Sequence, residues 1–426
     1  MKKIGLFLFD ICFALQMVAQ EQNYFTNPVI RGDVPDPSVI RIEDTYYATG
    51  TSSEWAPFYP MFTSKDLVNW KQVGHVFTKQ PSWTSNSFWA PELFYHNNKV
   101  YCYYTARQKS TGISYIGVAT SDSPLHEFTD HGPIVEYGKE AIDAFIYDDN
   151  GQLYISWKAY GLDTRPIELL GCKLSADGLH LDGEPFTLLV DEKGIGMEGQ
   201  YHFKEGDYYY IVYAAHGCCG PSSDYDVYVA RARNYGGPYE KYSGNPILHG
   251  GEGDYKSCGH GTVVRTSDGR MFYMCHAYLK GDGFFIGRQP ILQEMEMTDD
   301  HWVRFKTGNL AIAEQPIPFV GTKQEPLSDF EDNFKGNQLK VDWTWNYPYS
   351  DIHAVLKKGK LFLSGTPKNN NKYGTALCLR PQSPQYSCET KVINTGKGLK
   401  GLTLYGDDKN LIAWGIEGDK LILKVV

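Results

Sequence analysis

Beyond its first twenty residues, the 426-residue chain has no apolar run approaching the 18 or so residues of a membrane span. Long runs of one charge sign, sustained helical periodicity and zinc-type cysteine spacing are missing as well. Each absence removes a class. No membrane insertion is expected, and with 50 acidic against 41 basic residues there is no basic stripe to hold nucleic acid. Cysteine is too sparse for a disulfide scaffold in a chain this long, with nine in all and eight beyond the N-terminal segment. Two of them, Cys218 and Cys219 in HGCCG (216–220), are adjacent, which allows either a vicinal disulfide or two separate thiols. The N-terminal segment itself, MKKIGLFLFDICFALQMVAQ, sets Lys2 and Lys3 before an apolar run and offers a cleavage site at Val18-Ala19-Gln20. Residues 1–20 are therefore expected to be a signal peptide, and the mature protein to be exported to the periplasm or outside the cell.

Aromatic residues, by contrast, are plentiful at 14%, with 31 Tyr and 9 Trp. Strand cores account for most of them, and the remainder suits the apolar ring faces of sugars. Five segments can be laid over one another: DPSVIRIEDTYYATG (36–50), APELFYHNNKVYCYYTA (90–106), DAFIYDDNGQLYISWKA (143–159), EGQYHFKEGDYYYIVYA (198–214) and HGTVVRTSDGRMFYMCHA (260–277). Their starts lie 54, 53, 55 and 62 residues apart, the mark of a radial or stacked repeat. Within each, a first run is followed by a turn at Glu43-Asp44, Asn97-Asn98, Asn150-Gly151, Glu205-Gly206 or Asp268-Gly269, and then by a tyrosine-rich run. A second hairpin follows, at 64–70, 120–128, 174–183, 232–242 and 296–305. Four short strands in each of five units predict an all-β, five-bladed β-propeller over 24–315. A β-sandwich would require the fivefold match to be coincidence. Residues 316–328, rich in Pro, Gly and polar side chains, read as a linker. Alternating polar and apolar residues in 361–365, 386–392, 402–406, 411–416 and 421–426 predict a β-sandwich accessory module over 329–426, incomplete in extent because its last strand is also its last residues.

On a propeller, Asp36, Ala90 with Trp89 before it, Asp143, Glu198 and His260 would all open innermost strands and converge at the axis. Asp36 stands between Pro35 and Pro37; Asp143 is a charge among apolar neighbours, which calls for a partner or a function; Glu198 sits beside glycines that permit close approach. Three convergent carboxylates cannot all ionise freely near pH 7, so an acid and a base arise in one pocket. Glycoside hydrolysis needs such a pair. A shared cation is the competing use of the same cluster.

The strings GDVPDPSVIRIEDTYYATGTS (32–52), SKDLVNW (64–70), FWAPE (88–92), IDAFIYDDNGQLYISW (142–157), MEG (197–199) and GHG (259–261) closely resemble glycoside hydrolase family 43, over roughly residues 25–315. The resemblance implies a five-bladed propeller that hydrolyses arabinofuranosides or xylosides with inversion. It gives Asp36 as general base, Glu198 as general acid, Asp143 as the carboxylate tuning the acid, and Trp89 as a wall of the sugar pocket. Arg288 would reach the sugar, and His260 would stand beside a hydrated Ca²⁺ in the central channel, with no cofactor required for the chemistry. Asp143-Ala144 and Glu198-Gly199-Gln200 depart from the family's frequent Asp-Pro and Glu-Gly-Pro. The C-terminal region resembles the opening of a concanavalin-like sandwich. The expected activity is exo-acting removal of arabinofuranosyl or xylosyl residues from plant cell-wall oligo- or polysaccharides, since insertions at 52–60 and 216–226 could wall off a pocket. An endo-arabinanase and a non-catalytic carbohydrate-binding propeller are the alternatives.

Overall fold

The structure, a computed structural model, describes residues 23–160, 166–393 and 397–426. The expected signal peptide over 1–20 lies outside them. Five four-stranded antiparallel sheets follow one another along the chain, each built from strands in chain order, with Trp55–Ala56 left out of the first. Blade 1 comprises Ser38–Ile42, Thr45–Thr49, Phe58–Ser64 and Lys71–Phe77; blade 2 comprises Thr84–His96, Lys99–Gln108, Ser114–Ser121 and Thr129–Val135. Blade 3 holds Ala141–Asp149, Gln152–Ala159, Glu168–Lys173 and Phe186–Val190. Blade 4 holds Met197–Glu205, Tyr208–Ala215, Asp226–Ala232 and Glu240–Lys241, and blade 5 holds Tyr255–Arg265, Met271–Leu279, Gln289–Met297 and Val303–Phe305. The first hairpin of blade 4 turns on Gly206 and Asp207, one residue beyond the expected pair, because Gly206 supplies the positive φ of 56°. Among the described residues the only helical pieces are two 3₁₀ turns, Lys280–Asp282 and Phe284–Ile286, and no helix is long and apolar enough to cross a membrane.

Alternation along the strands leaves apolar side chains on both faces of each blade, and these pack against the next blade rather than into one central core. Five buried clusters result, one per blade junction, such as Tyr103, Ile116, Ile155 and Trp157 between blades 2 and 3, or Val39, Phe62, Phe272 and Met274 between blades 5 and 1. Two buried tyrosines of the second strands satisfy their hydroxyls by reaching across a junction. Tyr103 donates to the carbonyl of Gly178 and Tyr210 to that of His301, both at 2.7 Å. The ring is closed by Tyr24–Thr26 pairing with Glu314–Pro316, while the Asn27 side chain exchanges two hydrogen bonds with the Leu292 backbone. Residues 317–325 stay pinned to the propeller through Arg270, Asn69 and Thr26.

The C-terminal module carries a two-stranded sheet, His353–Leu356 with Leu361–Ser364, and a three-stranded one, Lys400–Tyr405, Leu411–Glu417 and Lys420–Val425. The alternation in 386–392 does not form a strand; that stretch has no ladder partner and is largely exposed. The module docks on blade 1. Trp345–Asn346 pairs with Trp55–Ala56, and Tyr347 enters the aromatic cluster of Phe58 and Phe88 and donates to the Ser85 carbonyl at 2.7 Å. Residues Arg380 and Pro381 lie against Gly32, where a Cβ would meet the Pro381 carbonyl oxygen at 3.0 Å.

Candidate active site

The ends of the innermost strands share a backbone feature that strings of side chains do not display. Asp36, Ala90, Asp143, Gly199 and His260 all have positive φ, between 37° and 60°. In blades 2 to 5 a register shift in the first hairpin accompanies it, an inserted residue that kinks the strand towards the axis. The fifth equivalent position is thus Gly199, not Glu198, which stands one residue earlier, level with Trp89, Ile142 and Gly259. The other four positions carry side chains at similar φ, but Gly199 has no room for one, because a Cβ there would lie 2.5 Å from the His260 ring. Neighbouring blades accept the amides freed by the kinks. Ala90 N donates to Thr51, Asp143 N to Thr105, Gly199 N to the Asp143 carboxylate and Asp36 N to His276 Nδ1, at 2.7–3.1 Å.

These kinks bring the three acids around His260, whose Nδ1 is 3.5 Å from Asp36 Oδ1 and 3.7 Å from Asp143 Oδ2. Asp36 is 8% exposed, accepts the Thr51 hydroxyl at 2.6 Å and faces Arg288 Nη1 at 3.5 Å and His276 Nδ1 at 3.1 Å. Burial opposes its ionisation, but Arg288, His260 and His276 outweigh burial and hold the carboxyl well below the usual range. Arg288 is placed by its own backbone N–H, which donates to Asp33 at 2.8 Å.

Glu198 is held differently. Lys158, buried on the second strand of blade 3, donates from Nζ to Oε2 at 2.6 Å, and the Tyr225 hydroxyl donates to Oε1 at 2.9 Å. Burial raises the Glu198 pKa, yet Lys158, with His260 and Tyr225 adding to it, leaves the group below its ordinary value. Asp143 takes the opposite course: burial, with the negative charges of Glu198 and Asp36, pushes it up to about 7 against the pull of His260 and Lys158. The raised carboxyl is therefore Asp143, although the sequence resemblance gives the proton-donating role to Glu198. Tyr225 also stacks on His276, centroids 5.5 Å apart, so an aromatic pair is interposed between the groups holding Asp36 and those holding Glu198.

Trp89 is half-buried at the same mouth, directly before the kink at Ala90. The structure thus gathers Asp36, Asp143, His260 and Arg288 by contact and Glu198 with them through charge, and sets Trp89 in the chain directly before the kinked Ala90. It adds Lys158, Tyr225, His276 and Thr51. Cys218 and Cys219 are disulfide-bonded, which decides between the two readings left open by the sequence.

Below His260 the axis encloses about 10 Å³, room for one water-sized species, bordered by Asp36, Glu92, Gln200 and Thr262 among others. Gln200 Oε1 is buried without a hydrogen-bond partner. No group of three or more His, Cys, Asp or Glu that could ligate a metal directly occurs among the described residues. A cation here would meet His260 and the orphaned Gln200 Oε1, in a space with room for the ion but not for a shell of waters.

Comparison with known proteins gives the family of the chain. The family model described as glycosyl hydrolases family 43 matches residues 25–303, and the beta xylosidase C-terminal concanavalin A-like domain matches 331–426. A xylan 1,3-beta-xylosidase of Vibrio sp is 28% identical over 415 residues, covering 89% of this chain and 76% of its own. The non-reducing end alpha-L-arabinofuranosidase BoGH43B of Bacteroides ovatus is 28% identical over 433 residues, covering 96% and 77%. In fold, the GH43 BlXynB protein from Bacillus licheniformis superposes with a TM-score of 0.76 at 23% identity, over 94% of this chain and 81% of that one.

Proposed function

Because the chain belongs to family 43 of the glycosyl hydrolases and is a glycosidase, we propose that it acts from chain ends, with inversion, to remove arabinofuranosyl or xylosyl residues from plant cell-wall oligo- or polysaccharides. The observation that carries this reading is the convergence of Asp36, Asp143 and Glu198 around His260, with the first and last held by separate sets of partners. Inverting hydrolysis needs a base and an acid on opposite faces of the sugar, with room for water beside the base.

Asp36, kept ionised chiefly by Arg288, takes a proton from the attacking water, whose oxygen bonds to the anomeric carbon. The glycosidic carbon–oxygen bond breaks, and the leaving oxygen takes a proton from Glu198. Asp143 and Glu198 titrate as a pair that holds one proton near neutrality. In the free protein that proton rests chiefly on Asp143, because Lys158 stabilises ionised Glu198. The trio is thus one base plus one shared proton, and Arg288 and Trp89 would hold the sugar. A cation at His260 and Gln200 would supply only positive charge beneath the acids.

Exo action is supported by the walls on this face. The strand-two to strand-three loops return to the kinked ends of the blades, and the one in blade 1 is backed by the C-terminal module, while the one in blade 4 ends at Tyr225. The relatives named as xylosidase and non-reducing-end arabinofuranosidase agree with that choice. Export is supported by Lys2, Lys3 and the apolar run after them. Incubation with arabinan and xylan oligosaccharides and with the polymers is expected to release free pentose from the outset with little fall in polymer viscosity. Early viscosity loss with oligosaccharide products would instead mean internal cleavage.

A further inference from the structure

Of the propeller's described residues, few large apolar side chains are strongly exposed: Tyr24, Tyr95, Leu125, Phe284 and Phe285. Tyr24 belongs to the closing ribbon, Tyr95 is next to the first hairpin turn of blade 2, and Leu125 is in the outer turn of that blade. Only Phe284 and Phe285, 49% and 58% exposed, stand on the loop between strands two and three of a blade, on the face where the acids open. Their exposure is not the result of a loose loop. Ile286 beside them is fully buried, and Gly287 (φ +86°) packs so closely on Asp33 that a Cβ would lie 2.3 Å from its carboxylate. One residue further on, Arg288 meets Asp36.

The aromatic pair is also tied to the acid's side of the site. Phe284 stacks on Tyr278, with centroids 5.1 Å apart. The Tyr278 hydroxyl accepts a hydrogen bond from Gly220 N at 3.2 Å, next to the Cys218–Cys219 disulfide. That same loop ends at Tyr225, whose hydroxyl donates to Glu198. A leaving sugar departs on the side of the group that protonates it. Resting on the proposed exo-glycosidase reading, we infer that Phe284 and Phe285, backed by Tyr278, form the platform for the leaving-group sugar, and that this sugar is a pyranose such as the xylose of a xylan backbone. A chair pyranose without a hydroxymethyl group presents a flat C–H face to Phe284, whose ring is held in advance by Tyr278, and to Phe285 next to it, so less ordering entropy is lost on binding. A puckered furanose fits such a flat platform less well.

The test compares substrates that have this ring with substrates that lack it. The matched pairs are β-1,4-xylobiose with β-xylosyl fluoride, and 3-O-α-L-arabinofuranosyl-xylobiose with α-L-arabinofuranosyl fluoride; the pair hydrolysed by the wild type is used. In the full chain carrying Phe284→Ala and Phe285→Ala together, the ratio of kcat/KM for the saccharide to that for the fluoride is expected to fall about tenfold, since remote binding energy is lost only where a leaving ring exists. Phe285→Tyr is expected to restore most of the ratio. An unchanged ratio, whether both substrates decline together or neither does, would overturn the platform. A wild type that cleaves no pentosyl fluoride or saccharide at all would instead sink the exo-glycosidase reading.

Discussion

Asp36→Asn is expected to lower kcat by roughly 10²–10⁴-fold, the usual contribution of a positioned base. Asparagine keeps the shape and can still accept the Thr51 hydroxyl, so the kinked strand end retains its partners. What disappears is a carboxyl held ionised well below the usual carboxylate range. Water must be deprotonated whatever the leaving group, so the loss should be equally deep on a disaccharide and on a glycosyl fluoride. Arg288 loses one counter-charge but keeps Asp33 beside it, so the far-UV spectrum and a single cooperative melt should persist. A variant with near-normal kcat would remove Asp36 from the chemistry.

The second large effect is selective. Glu198→Gln is expected to reduce kcat on a saccharide by a similar roughly 10²–10⁴-fold, yet by far less on a glycosyl fluoride, whose leaving group needs little help from an acid. The pH profile of the wild type should carry the same signature. On a saccharide, activity falls as pH rises through about 7, because the proton shared by Asp143 and Glu198 is then lost. On the fluoride that alkaline fall should be absent. On the acid side, activity should persist below the ordinary carboxylate range, because Asp36 must be protonated before the base is lost. Equal losses on both substrates would mean that Glu198 positions the sugar and does not donate the proton. Lys158, left without its partner in this variant, still has Asp143 close by, so the buried cation is not abandoned.

Much of this arrangement was legible in the chain because the repeat period and the turn residues report the blades directly, and because acids at repeated positions stand out against apolar runs. The slip at blade 4 shows where side-chain strings stop being informative. Glu198 resembles Asp36 and Asp143 chemically, but the position matched by backbone geometry is Gly199, and a one-residue bulge is invisible to a comparison of side chains. Lys158 left a signal that could have been read: a lone charge in the apolar run YISWKA needs a partner when buried. Its ladder position, opposite the residue just before a kink, is shared by Thr105 and His276, both of which cap freed amides. Tyr225 gave no such sign, since it reaches Glu198 from the end of a long loop whose path depends on tertiary packing. The apolar alternation at 386–392 misled for the opposite reason, because a strand pattern without a neighbouring edge to pair with does not make a strand.

Inversion requires a base and an acid acting from opposite sides of one sugar. Its most direct test is proton NMR of the first pentose released from a substrate of known anomeric configuration, recorded before mutarotation. The opposite anomer should appear first. Initial appearance of the starting configuration would mean a covalent glycosyl–enzyme route and would contradict the roles of Asp36 as base and Glu198 as acid.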